Sequence, residues 1–153
     1  ALADFDQMRT REGARLEADV LSRAARIEEL VGKVEERSPQ TVAEYRAKLE
    51  ARMNEVLSNT QLDPARILTE AAIFADKVAV DEETVRLCSH IGQLRHMLEQ
   101  GGATGRKLDF LIQEFNREAN TIGSKCSDID IARHVVDIKA EIEKIREQVQ
   151  NIE

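Results

Sequence analysis

Glu83, Arg86 and His90 stand three and four residues apart in a segment whose apolar positions recur at helical spacing, so they share one helix flank. A carboxylate and an imidazole placed this way can ligate a divalent cation or work as an acid/base pair, and histidine titrates closest to neutral pH. Glu82 adjoins them. The same spacing also describes a plain surface or interface ion pair.

A second constellation occupies GRKLDFLIQEFNREANTIGSK, residues 105–125. At 100° per residue, Leu108, Leu111, Ile112, Phe115, Ala119 and Ile122 make an aliphatic stripe for the core. Arg106, Asp109, Gln113, Asn116, Arg117 and Asn120 gather on another face, while Lys107, Glu114 and Glu118 flank the stripe. Asparagine inside a helix costs stability, and arginine offers a planar fork suited to phosphate. Four cations in this segment (Arg106, Lys107, Arg117, Lys125) oppose three carboxylates, a net of +1 in a chain carrying −7. The overall acidity argues against a nonspecific nucleic-acid coat, because such binding needs cations to displace counterions. A local phosphate-binding groove remains open, as does a polar face satisfied by neighbouring helices.

Other reactive side chains carry less. His96 and His134 read as exposed helix residues. Cys88 and Cys126 fit no CxxC spacing and read as reduced, small residues in a reducing compartment. The glycine cluster at 101–105 matches neither GxGxxG nor a P-loop, so nucleoside-triphosphate hydrolysis is unsupported.

The elements that must position these residues are helices. Seven Gly, two Pro and 3% aromatics accompany 33% charged residues, and Ala, Leu, Ile, Glu, Lys, Arg and Gln fill the long segments. The class is all-α, with about six helices. A first helix is expected to about Arg37 (Leu16, Val20, Ile27, Val31, Val34 on one stripe), stopped by Ser38-Pro39. A second carries Val42, Tyr45, Leu49, Met53 and Val56 to Ser58-Asn59. Residues 1–60 therefore read as a long antiparallel hairpin, and 61–153 as a helical bundle.

In the bundle, Asp63-Pro64 opens one helix as cap and first-turn proline. Another runs from near Asp81 to about Gln100 with Leu87, Ile91, Leu94 and Leu98 inward. The next follows the glycine cluster and ends at Gly123-Ser124. The last, capped by Ser127 with Asp130 three residues on, spaces Ile131, Val135, Ile138, Ile142, Ile145, Val149 and Ile152 alternately by four and three. That seam suits either an intramolecular bundle or a subunit contact. No apolar run approaches a membrane span of about 20 residues and no signal-peptide pattern is present, so a soluble, cytoplasmic protein without membrane contact is expected. The chain opens at Ala1 already inside a helical pattern, which raises the expectation of a partner domain upstream.

The 105–125 segment, with Asn116-Arg117-Glu118-Ala119-Asn120-Thr121 at its centre, is followed by VVDIKAEIEKIREQVQNIE; together they resemble the C-terminal signature of the YicC/YloC family. The resemblance extends to Ala75-Asp76-Lys77, Glu82-Glu83, Arg86-Leu87-Cys88-Ser89-His90, Met8-Arg9 and Glu12-Gly13, and is weak over 14–60. Ala79 stands where that family usually carries an acid. The resemblance implies the C-terminal helical region of a cytoplasmic endoribonuclease of bacterial RNA metabolism, with RNA as partner and the family's N-terminal domain absent. It further implies dependence on a divalent cation, manganese with magnesium as the alternative, and a homo-oligomer of six copies. Carried onto matching positions, it points to Glu83, Arg86, His90, Arg106, Asp109, Glu114, Asn116, Arg117, Glu118, Asn120 and Lys125.

The working expectation assigns catalysis to Glu83, His90, Asp109 and Glu118, and the metal to Glu83, His90, Glu114 and Glu118. RNA binding falls to Arg86, Arg106, Gln113, Asn116, Arg117, Asn120 and Lys125. Asp109 lies on a different helix face from Glu114 and Glu118, so a straight helix cannot bring all the carboxylates to one ion. The rival expectation is a non-catalytic helical module for RNA binding and oligomerisation that needs the missing domain for activity.

Overall fold

The computed structural model describes residues 2–58, 64–101, 105–126 and 128–152. All regular structure among them is helical: α1 (Leu2–Leu57), α2 (Pro64–Val78), α3 (Asp81–Gln100), α4 (Gly105–Lys125) and α5 (Ile129–Ile152). The all-α expectation holds. The hairpin over 1–60 does not form.

In place of that hairpin stands one helix of 56 residues with Pro39 inside it, about 84 Å long at 1.5 Å per residue. Proline removes one backbone donor and crowds the preceding turn, yet packing on both sides of the position outweighs that cost. Val34, Ser38 and Thr41 are all buried, and Thr41 Oγ1 donates to the Ser38 carbonyl at 2.7 Å. Arg37 spans the proline turn, donating to Gln40 at 2.9 Å and to Glu44 at 3.3 Å. It also forks onto Asp128, just before α5, at 3.1 and 3.3 Å. Local proline chemistry predicted a break; tertiary contacts keep the helix whole.

Four helices close the core: α1 packs on α5 and α3, and α4 on α3 and α5, while α2 lies against α1. Val20, Ala24, Ile27, Leu30, Val31 and Val34 of α1 share one buried cluster with Leu87, Ile91 and Leu94 of α3 and the aliphatic stripe of α4. Ile131, Val135, Ile138, Ile142, Ile145 and Val149 of α5 are buried in the same cluster, so their seam serves the intramolecular bundle. Arg23 to Glu141 (3.2 Å) and Arg95 to Glu28 tie α1 to α5 and α3 at the rim.

The helix ends depart from expectation by a residue or two. The Asp63 cap and the Ser127 cap fall outside the described residues. Asp128 performs the capping of α5, its Oδ2 accepting the Ile131 N–H at 3.1 Å, which satisfies one of the orphan donors of the first turn. The fork from Arg37, aided by this backbone bond, holds the Asp128 carboxyl below its ordinary value. α4 runs past Gly123-Ser124 to Lys125. Gly101 ends α3 at φ +71, a conformation that suits glycine, with its N–H on the Leu98 carbonyl.

A candidate metal centre on the α3–α4 seam

Helices α3 and α4 run antiparallel, and their polar flanks meet as a ladder. Glu83 pairs with Lys125, Arg86 with Glu118, and His90 approaches Glu114: positions rise along α3 as they fall along α4. Core packing of Leu87, Ile91 and Leu94 against Leu108, Phe115, Ala119 and Ile122 sets this register. The flank residues of each helix are then forced to face each other.

Glu83 is 2% exposed and sits in the first turn of α3. The positive end of the helix dipole favours a carboxylate there. Its Oε1 accepts from Lys125 Nζ at 2.7 Å and from Arg86 at 3.2 Å. Its Oε2 is buried with no hydrogen-bond partner. Arg86 uses its Nε on Glu118 Oε1 at 3.1 Å, so one guanidinium bridges two buried acids on different helices. The Glu118 bond is the main influence keeping Arg86 firmly cationic.

Glu118 is 5% exposed. With His90 and Glu114 it forms a group whose potential ligand atoms all lie within 4.8 Å of one another. His90 Nε2 stands 3.9 Å from Glu114 Oε2, and His90 Nδ1 is buried without a partner. Three donors on one ion at about 2.2 Å lie at most about 3.8 Å from one another, so His90, Glu114 and Glu118 would have to close in by side-chain rotation to share a cation. One imidazole nitrogen with carboxylate oxygens suits manganese, iron or zinc, and the carboxylate share leans toward manganese. Along the ladder Glu83 and Glu118 are met by Arg86 and Lys125, while Glu114 is approached by His90 at 3.9 Å and by the mostly exposed Arg117 at 4.0 Å. The residues present therefore fit a divalent ion.

Of the residues expected from sequence, the structure brings together Glu83, Arg86, His90, Glu114, Glu118 and Lys125. Arg117 borders them, 4.0 Å from Glu114, with its side chain 75% exposed. Asp109 does not join: it is exposed with Arg106 and Gln113 on another face of α4, within electrostatic reach of Arg146 on α5. Asn120 is likewise exposed, and Asn116 half-buried, off the ladder. Phe110, 61% exposed beside Arg106 and Gln113, had no place in the sequence reading; its signal was an aromatic falling outside the aliphatic register of α4. Burial pushes the Cys88 thiol up, with Glu35 and Glu28 adding to the effect, so it is a poor nucleophile.

Residues 34–153 match the family described as Endoribonuclease YicC-like, C-terminal. The chain belongs to the YicC family. It is 47% identical over 154 residues to the probable endoribonuclease YicC of Clostridioides difficile, covering all of this chain and 53% of that protein. It is 40% identical over 152 residues to the probable endoribonuclease YicC of Haemophilus influenzae, covering 99% of this chain and 52% of that one. The chain thus spans about half the length of these YicC relatives. The α3–α4 ladder lies wholly inside the matched YicC region. No described helix is long and apolar enough to cross a membrane.

Proposed function

We propose that this chain is the helical C-terminal portion of a divalent-metal-dependent endoribonuclease, with RNA as its substrate and the α3–α4 ladder as its metal site. The observation that carries the reading is the convergence of His90, Glu114 and Glu118 on one point, with a buried, unpartnered imidazole nitrogen among them. The names of the two relatives supply the reaction class.

His90, Glu114 and Glu118 would hold the cation; manganese is the preferred occupant and magnesium the alternative. When bound, such an ion supplies Lewis acidity toward a phosphoryl oxygen and lowers the pKa of a coordinated water. Arg86 orients Glu118 and neutralises part of its charge. Glu83 and Lys125 fix Arg86 in turn. Arg117, mostly free in solvent beside Glu114, is placed to hold a substrate phosphate and to offset charge growing on its oxygens. Arg106, Gln113, Asn116 and Asn120 extend the contact surface along α4. Assembly of the whole protein as a homo-oligomer in the cytoplasm belongs to the same proposal.

Manganese titration of the purified chain, followed by calorimetry or by the electron-paramagnetic signal of free ion, tests the site. His90→Ala and Glu118→Gln are expected to weaken binding roughly 10–100-fold or more, and Asp109→Asn to leave it unchanged. In parallel, cleavage of a hairpin RNA by the chain should require manganese and stop on chelation. Equal manganese affinity in all the variants would remove the metal site; RNA binding without cleavage would favour the non-catalytic module.

A further inference from the structure

Beyond the metal ladder, α4 carries a second organised surface. Arg106, Phe110, Gln113, Arg117 and Asn120 fall within an arc of about 80° at 100° per residue, and all five are exposed. The stripe is straight and runs most of the length of α4. Its only ionised side chains are two arginines, in a chain whose net charge is −7. Arg106 has no ion-pair or hydrogen-bond partner among the described residues, and Arg117 has only the 4.0 Å approach to Glu114. Between these cations Phe110 presents its ring to solvent, 61% exposed, at the wall of an open concavity of about 460 Å³ shared with Arg106, Asp109 and Gln113. Asp109, the one acid at this edge, also feels Arg146 on α5.

We infer that this stripe is a track for an unpaired RNA strand, with Phe110 as a base-stacking residue and Arg106 and Arg117 as its phosphate contacts. The inference rests on the nuclease reading for the identity of the polymer, and adds the class of substrate: single-stranded in preference to duplex. The chemistry decides the occupant. An aromatic face binds any unstacked base, whereas the bases of a duplex are already stacked and its deep groove excludes side chains. Guanidinium forks on either side of the ring, with two amides beyond it on its C-terminal side, match phosphates, riboses and base edges. A protein partner would need more apolar surface than one ring provides. Glu114 joins the surfaces: it contacts Arg117 on the track and belongs to the metal-competent group. A strand lying on the track is thereby led to the ladder.

The test is binding without cleavage. The 153-residue chain is titrated, in chelator, into a fluorescently labelled uridine dodecamer and into a duplex of the same length, with anisotropy as readout. The dodecamer is expected to bind more tightly than the duplex. Phe110→Ala should weaken dodecamer binding about 5- to 150-fold and Phe110→Trp should restore it, while duplex binding changes little. Arg106→Gln should lower the salt dependence of binding by about one unit of the log–log slope. Helical circular dichroism checks that each variant folds. Unchanged affinity in Phe110→Ala, or equal affinity for duplex and single strand, overturns the track. So does a change in sedimentation with no change in RNA affinity, which would mark the face as a self-association surface. Because no metal is present, these outcomes are independent of whether the ladder cleaves.

Discussion

Asp128 shows how a single side chain can govern two helices and a pH response. Its carboxylate caps α5 through the Ile131 N–H and receives the Arg37 fork from α1. Its folded pKa is depressed, chiefly by Arg37. A group whose folded pKa lies below the unfolded value, about 3.9 for Asp, contributes stability above that unfolded value and loses it as pH falls through the folded one. Asp128→Asn keeps a capping oxygen but drops the charge. At neutral pH it should lower Tm by a few degrees, and the gap to the parent should close between about pH 5 and the acid limit. Thermal melts of both proteins across that range check it; a gap that stays constant would show that the charge is unimportant. The sequence pointed to Ser127 as the cap, and the role of Asp128 becomes visible only through its bonds to Ile131 and Arg37. By contrast, spacing alone placed Glu83, Arg86 and His90 on one flank of a helix, where the structure also has them, but left both an ion pair and a metal site open. Asp109 entered the candidate set through the family motif although its helix face already separated it from Glu114 and Glu118, and the structure keeps it off the seam.

At the level of elements, α1 is where local and tertiary preferences collide. Proline in a helix interior costs about 3 kcal/mol relative to alanine, of which up to about 1 kcal/mol is returned through a stiffer unfolded chain. Pro39 is exposed and none of the hydrogen bonds around it depends on its ring. Pro39→Ala should therefore stabilise the protein by about 1–3 kcal/mol, with each kcal/mol raising Tm by roughly 2–4 °C for a chain of this size. Differential scanning calorimetry is the measurement; a Tm that stays or falls would mean that the turn at Pro39 is shaped for proline. α3 to α5 were read correctly because periodicity and burial agree along their length. Leu87, Ile91 and Leu94, and Ile131, Ile138, Ile142 and Ile145 of α5, are buried where their spacing placed them. The hairpin over 1–60 was a failure of a local rule: Ser38-Pro39 looks like a stop until Arg37, Ser38 and Thr41 are seen packed against the rest of the molecule.

For the whole molecule, the decisive property of the ladder is that folding creates it. His90 lies on α3, and Glu114 and Glu118 on α4, brought within 4.8 Å only when the two helices dock. An unfolded chain offers the same groups dispersed, so a divalent ion has little affinity for it, and binding must stabilise the native state. At a free concentration one hundred times the dissociation constant the linkage amounts to about 2.7 kcal/mol, or roughly 5–11 °C in Tm. Manganese should produce this rise in the parent chain and in Asp109→Asn, whose carboxylate faces α5. It should fail to do so in Glu118→Gln at the same concentration. The orphaned Glu83 Oε2 makes a further distinction: Glu83 touches Lys125 and Arg86 and lies outside the ligand group. Glu83→Gln should accordingly lower the Tm of the metal-free protein while retaining most of the manganese-induced rise. If manganese shifts Glu118→Gln as far as the parent, the ion binds elsewhere on this acidic chain and the α3–α4 seam is a buried ion-pair network and nothing more. If only the parent and Asp109→Asn shift fully, Glu83→Gln following with a lower start, the docking of two helices is itself what assembles the cation site.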